Sequence, residues 1–391
     1  MNHHLVEVMK ELTGITWNHT RGYLPMVATA QRFSERHPEI VINWQKRSLQ
    51  AFADAPLVEL ASRFDLLVID HPSIGEAARH DLLLKLDQHL EPKFLADQAK
   101  NSVGQSHISY AVDGHHYALA IDAAAPISGY RADLLTRAGA EPPQTWSELL
   151  ALAHRGLVTV PAIPIDSLMN LFMLVDALGD EPFTVPGFMF KPETGKEALQ
   201  MLRELVNLCE PGSFARNPIC TWQFLADSSR VAYCPFAYGY SNYSRHGYAA
   251  NLLTVGGLIS LSPSGTPLRS TLGGAGLAIS KQCACPESAL SYAQFVASPE
   301  CQSTLYANSG GQPGHRVAWQ DVALNVATNN FFANTLRTLD SAWLRPRFPG
   351  YIDFQNVASS IVHHYLCHGG PESTVLAKLN QSLQSAQRAN L

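Results

Sequence analysis

An α/β protein built on an open, mainly parallel sheet is predicted by three features of the N-terminal stretch. The segment "LTGIT" reads as a short strand. "IVINW", 40–44, is a β-branched strand. "DLLVID", 65–70, is apolar on both faces, as a strand buried within a parallel sheet must be. Helical patterns separate the three. "PMVATAQRFSERH" sets Met26, Val27, Ala30 and Phe33 on one stripe, with Pro25 in the first turn, where a missing N–H is tolerated, and Pro38 as the stop. "PLVELASRF" is a second, shorter helix. The resulting β-α-β-α-β order calls for right-handed crossovers.

Composition bounds the function. The 391 residues suffice for two packed domains; 46% are hydrophobic, 16% charged, and the net charge is −5 with 16 histidines neutral. No basic stripe suggests nucleic acid, and the longest apolar runs, such as "SLMNLFMLVDAL", are too short and too broken to span a bilayer. The N-terminus, "MNHHLVEVMKELTGITW", carries no secretory signal pattern. The seven cysteines show no framework spacing, which favours a reducing compartment; Cys283 and Cys285 read as free thiols near a helix start.

In open α/β sheets, ligands sit beyond the carboxyl ends of the strands. The first such end carries "ITWNHTRGY", with Trp17, Asn18, His19, Arg21 and Tyr23; the third carries Asp70 and His71. A helix starting near Leu24–Pro25 would aim free N–H groups at the same place, favouring oxygen-bearing ligands. Trp17 is either a core aromatic or a pocket wall, and His19 and Arg21 are either solvated or in contact with ligand. Asp70 and His71, as neighbours on a strand, point to opposite faces and do not pair.

Further along, "YALAIDAAAPISGYRADLLTRAG" is a long extended segment followed by a short helix closed by Gly139. In "PPQTWSELLALA", Thr145 and Glu148 form a capping box. A helix spans "GKEALQMLRELVNLC", and "SSRVAYCPFAYGYSNYSR" is a strand on which Tyr238 and Tyr240 share a face, either packed core or a stacking surface for ligand. Trp222 is open to the same two readings. "TLGGAGLAISK" is a glycine-rich strand whose Gly273 and Gly274 let ligand and backbone approach closely; the helix "PESALSYAQFVASPE" follows. "HHYLCH", 363–368, offers pairs of metal-ligating side chains one helical turn apart, short of a closed metal site. No nucleophile elbow, Walker A loop or H-E-x-x-H pattern is present. Neither catalysis nor a cofactor is expected.

Three ordered stretches carry a resemblance: "FDLLVIDHPSIGEAARHDLLLKLDQHL", "YALAIDAAAPISGYRADLLTRAGAEPPQTWSELLALA" and "TLGGAGLAISKQCACPESALSYAQFVASPECQSTLYANSGGQPGHR". Together they make the chain resemble the extracellular solute-binding proteins of ABC transporters, in the large family that includes sugar-binding components. The similarity runs from about Thr13 to about Ala386. It implies a two-lobed periplasmic-binding-protein type II fold with crossing hinge strands and an interlobe cleft that closes on ligand. Lobe one would comprise 1–121 plus 274–318, and lobe two 122–273 plus 319–391. The chain departs from the family in lacking a signal peptide and a lipid-anchor cysteine near its start, and in its cysteine content. At the first crossing it has Ala120-Ile121-Asp122, where the family often has proline before the polar residue.

The resemblance implies capture of a small polar, oxygen-rich solute (a carbohydrate, a polyol or a hydroxylated acid) by a monomer serving an ABC permease. The protein would be periplasmic if a signal has been removed and cytoplasmic otherwise. The alternative is a cytoplasmic enzyme or ligand sensor on the same fold. In the family, the segment after the last crossing often supplies pocket residues. Within "RPRFPGY", 345–351, that implicates Arg345 or Arg347, with Tyr351, and Asp122 at the first crossing joins them. Arg21 and Arg345 would hold a carboxylate in bidentate geometry, or else pair with surface carboxylates.

Overall fold

A computed structural model describes residues 9–54, 56–185 and 187–389; the first eight residues of the stretch read for a leader lie outside them. The main strands are β1 (Lys10–Trp17), β2 (Ile40–Arg47), β3 (Leu66–Ile69), β4 (Ala118–Ala124), β5 (Pro126–Tyr130), β6 (Tyr233–Tyr238), β7 (Thr254–Gly256) and β8 (Gly273–Ile279). The helices used below are α1 (Thr20–Arg36), α2 (Leu49–Asp54), α3 (Trp146–His154), α4 (Pro164–Ala177), α5 (Pro192–Leu208), α6 (Pro286–Ala297), α7 (Tyr351–His368) and α8 (Glu372–Ala389). By packing, the chain separates into two compact units: Met1–Ala123 with Gly273–Leu324, and Ala124–Leu272 with Asn325–Leu391.

Unit one holds a five-stranded sheet in the order β2-β1-β3-β8-β4. β1 runs parallel to both β2 and β3, and β8 runs antiparallel to β3. Leu66, Leu67 and Val68 are fully buried, as a central strand covered on both faces requires. One core packs α1 and α6 on one side of the sheet through Met26, Phe33, Tyr292 and Val296; a second gathers Leu57, Leu60, Phe64, Ile74 and Tyr110.

Three sequence expectations change here. α1 begins at Thr20, because the His19 side chain caps it by accepting from the Arg21 N–H at 3.0 Å; Pro25 therefore lies inside the helix. The buried stripe runs through Met26, Ala30 and Phe33 but omits Val27, which is 39% exposed. The second strand continues three residues beyond Trp44, to Arg47.

Unit two has a three-stranded antiparallel sheet, β6-β5-β7, with an irregularity between Ile127 and Gly129. A large core joins α3, α4, α5, α7 and α8 through residues such as Trp146, Phe172, Leu202, Phe354 and Leu379. The Thr145–Glu148 capping box starts α3 as expected. β6 ends at Tyr238 and Tyr240 caps a separate short turn, so the two tyrosines do not share a strand face. Cys283 is buried, and Cys285 sits at the N-cap of α6; both are free thiols. In α7, His363 Nε2 lies 3.6 Å from Cys367 Sγ, and the His364 and His368 rings are 4.6 Å apart. Among the described residues no helix is long and apolar enough to cross a membrane.

Gly274 is where the backbone of β8 presses hardest on β4. Its φ is +113°, and a Cβ there would stand 2.3 Å from the Asp122 carbonyl oxygen. Gly370, at φ +121°, has open space instead. Gly274→Ala is therefore expected to lower unfolding stability by at least about 2 kcal/mol, strain and collision acting together, while Gly370→Ala costs clearly less. Urea midpoints of the two variants test this; equal losses would refute the collision.

Candidate functional site

The carboxyl ends of β1, β2 and β3 bring together most of the polar and aromatic residues of unit one singled out by sequence. Trp17 closes β1 and is registered on Arg47, the last residue of β2. It is 3% exposed, and its indole N–H has no hydrogen-bond partner among the described residues. Gly22 makes room for it: a Cβ at that position would lie 2.3 Å from the indole ring. Phe52 of α2 packs on the same indole with ring centroids 5.0 Å apart, and the Arg21 guanidinium carbon lies 5.9 Å from it.

Asn18 is exposed, with its backbone N–H donating to the Arg47 carbonyl at 2.7 Å. Tyr23 packs under the Lys46 ammonium, 4.9 Å from its ring centre. His19 is held as a neutral imidazole whose Nδ1 must stay unprotonated to cap α1. Burial and the neighbouring Arg21 push its pKa down to about 3.

Arg21 does not face solvent. It is 4% exposed and grips Asp122, itself 1% exposed, through two hydrogen bonds: Nε to Oδ2 at 2.8 Å, and Nη2 to Oδ1. Burial pushes the Asp122 carboxyl up, the guanidinium opposes that push, and Asp70 adds to it. Asp122 thus connects the end of β4 to the N-terminus of α1 and, through the close approach of Gly274, to β8. Gly273 is the buried first residue of β8.

Asp70 and His71 correct the sequence expectation. The chain leaves β3 at Ile69, so the two residues are not strand neighbours. Asp70 caps a short 3₁₀ turn, accepting from the His71 N–H at 2.9 Å, and the His71 Nδ1 lies 3.2 Å from its carboxylate. His71 itself is 1% exposed.

In unit two, Tyr238 ends β6 half-buried, its hydroxyl 3.1 Å from Thr271 Oγ1. Trp222 is a packed residue behind it: the indole donates to the Tyr238 carbonyl at 2.7 Å, and Gly129 leaves space for its ring. Tyr240 is buried. Arg345 is buried and donates to the Leu272 carbonyl at 3.3 Å and to Gln355 at 3.1 Å. Tyr351 is fully buried among Phe183, Phe348 and Phe354.

Sequence reasoning passed over Phe52 and Arg47. The signal available was the run "QKRSLQAF" after the second strand, which becomes informative only once β2 is known to reach Arg47.

Residues 28–318 match the profile of a family described as bacterial extracellular solute-binding protein. The chain belongs to that family. Among solved structures, this solute-binding protein is similar to a maltose-bound protein of T. maritima, at 18% identity and a TM-score of 0.80, over 96% of this chain and 99% of that one. It is similar to a ribitol complex of a solute-binding protein from Agrobacterium radiobacter K84, at 16% identity and 0.80, over 98% and 99%. A third is the tagatose-bound protein of Thermotoga Lettingae, at 17% identity and 0.81, over 96% and 100%. At these identities the likeness establishes the fold, the two-lobed α/β plan of maltose-binding-type proteins. No curated protein sequence matches the chain.

Two predictions follow from the geometry of unit one. Arg21→Ala strands a buried carboxylate and is expected to cost about 3–5 kcal/mol, whereas the double change R21M/D122L recovers most of that loss. Urea unfolding distinguishes them, and equal instability of single and double variants would show that the pair is not what the fold needs. A binding loss in Arg21→Ala then reports the fold.

His19 predicts a pH slope. Its folded pKa is depressed, so between about 3 and 6.5 the unfolded chain binds the extra proton. Its contribution is complete above the unfolded value of 6.5 and is lost as pH falls toward 3. His19→Asn keeps a capping side chain and is expected to flatten stability against pH across that window; an unchanged slope would exclude His19 as its source.

Proposed function

We propose that this chain captures a small, hydroxyl-rich solute (a carbohydrate, a polyol or a hydroxylated acid) outside the cytoplasm and delivers it to an ABC permease. The observation that carries the reading is the carboxyl edge of the unit-one sheet. There an aromatic wall with an unmade indole hydrogen bond stands beside several polar groups. Aromatic faces suit the C–H surfaces of sugars, and fixed donors and acceptors suit hydroxyls. Family membership supports the solute-binding role. The structurally similar proteins bound to maltose, ribitol and tagatose support the chemical class.

The proposed contacts in unit one are Trp17, Asn18, His19, Tyr23 and Asp70. Arg21, His71, Asp122, Gly273 and Gly274 hold those groups in place. In unit two, taken by itself, Tyr238 is proposed as a solute contact, with Trp222, Tyr240, Arg345 and Tyr351 as its supports. Nothing in this arrangement requires bond making, since binding alone fulfils the role.

A thermal-shift screen of sugars, polyols and hydroxylated acids tests the reading. A ligand of the native state is expected to raise stability by about 2.7 kcal/mol at one hundred times its dissociation constant. Asn18→Ala, at an exposed position, is expected to weaken binding of that ligand without lowering the melting temperature of the free protein. If no compound of these classes shifts the transition, the proposed chemistry is wrong.

A further inference from the structure

We propose that Arg47 anchors an acidic group of the solute, so that the site prefers a sugar acid, or a sugar or polyol phosphate, to its neutral counterpart. This rests on the solute-binding reading above and narrows it.

The placement of the side chain carries the argument. Arg47 ends β2, yet its guanidinium donates to the Val68 carbonyl of β3 at 3.2 Å and to the Ala51 carbonyl of α2 at 3.2 Å. β1 lies between β2 and β3. The guanidinium therefore crosses the carboxyl end of β1, where Trp17 stands. The Phe52 ring, 5.4 Å from its central carbon, also packs on Trp17.

Among the described residues this cation has no counter-charge. Its partners are neutral carbonyls, and among the described residues no carboxylate pairs with it. Its Nε is shut off from water with no acceptor among the described residues, as is the nearby indole N–H of Trp17. Arg21 differs in this respect, because Asp122 already balances it.

A cation withdrawn from water is costly unless an anion or a full set of acceptors replaces the hydration. Burial pushes the Arg47 pKa down to about 10, which leaves it charged at neutral pH. An incoming carboxylate or phosphate would supply the missing charge through the two Nη groups, in the bidentate geometry that a guanidinium favours. The backbone carbonyls hold the fork in place without neutralising it.

The test compares matched probes by calorimetry: galactose with galacturonate, sorbitol with gluconate, and sorbitol with sorbitol 6-phosphate. The expected result is that at least one acid binds tenfold or more tightly than its neutral partner, about 1.4 kcal/mol, and that the preference shrinks at high salt. The carboxylate and phosphate arms show which oxyanion is meant. In R47Q the acid-to-neutral ratio is expected to fall to near one, with R47K intermediate. The wild-type ratio and its salt dependence need no variant, so a poorly folding R47Q leaves the test intact. Binding of neutral sugars or polyols with no preference for the acids, or a preference that survives R47Q, overturns the anchor while keeping the solute-binding reading. Binding of none of the probes overturns both.

Discussion

Arg21 and Asp122 stand 101 residues apart in sequence and have almost no access to water. Neither charge is tolerable alone in that setting, so each requires the other to be where it is. Much of unit one is arranged around this requirement. α1 must start at Thr20 to point Arg21 inward, and His19 must cap it as a neutral imidazole directly beside a guanidinium. β4 must bring Asp122 to the same point, and β8 must pass so close to the Asp122 carbonyl that only glycine fits. A buried ion pair of this kind adds little net stability against an apolar pair of the same shape. What it supplies is a fixed relation between one helix terminus and two strands.

The aromatic residues show a second constraint. Trp44 lies against Gly14, Trp17 against Gly22, Trp222 against Gly129 and Tyr110 against Gly276. In each case a Cβ on the glycine would stand less than 3 Å from the ring, so bare backbone is the surface on which the ring rests. Close packing of this type leaves the large ring little choice of orientation. For Trp17 it fixes how the indole is seated at the end of β1.

The open parallel sheet was legible because its signal is local: strand and helix periodicities alternate, and a strand apolar on both faces must be interior. The Thr145–Glu148 capping box was legible for the same reason, since both partners lie within one turn. The candidate site was less so. His19 is an unusual cap, so the sequence pattern alone puts the start of α1 too late and Pro25 in its first turn. Asp70 and His71 look like strand neighbours in the sequence because the exit from β3 at Ile69 leaves no mark in the hydrophobic pattern. The Arg21–Asp122 pair is a long-range contact that no spacing rule reaches. Arg47 was missed because a polar strand end looks like a loop until its hydrogen-bonded register is known.

The division of the chain into units carries a consequence for how the protein is made. β8, Gly273–Ile279, occupies the slot between β3 and β4, yet it is synthesised some 150 residues after β4. While the intervening segment leaves the ribosome, the first sheet has an unfilled place and β3 and β4 each present an unpaired edge. Unit two waits in turn for α7 and α8 at the end of the chain to complete its core. Vectorial synthesis therefore completes unit one only after most of unit two has been made, and completes unit two last. A nascent chain halted near Leu272 carries two incomplete cores, and it is at that stage, rather than in the finished molecule, that unpaired strand edges and exposed apolar faces are most open to misassembly.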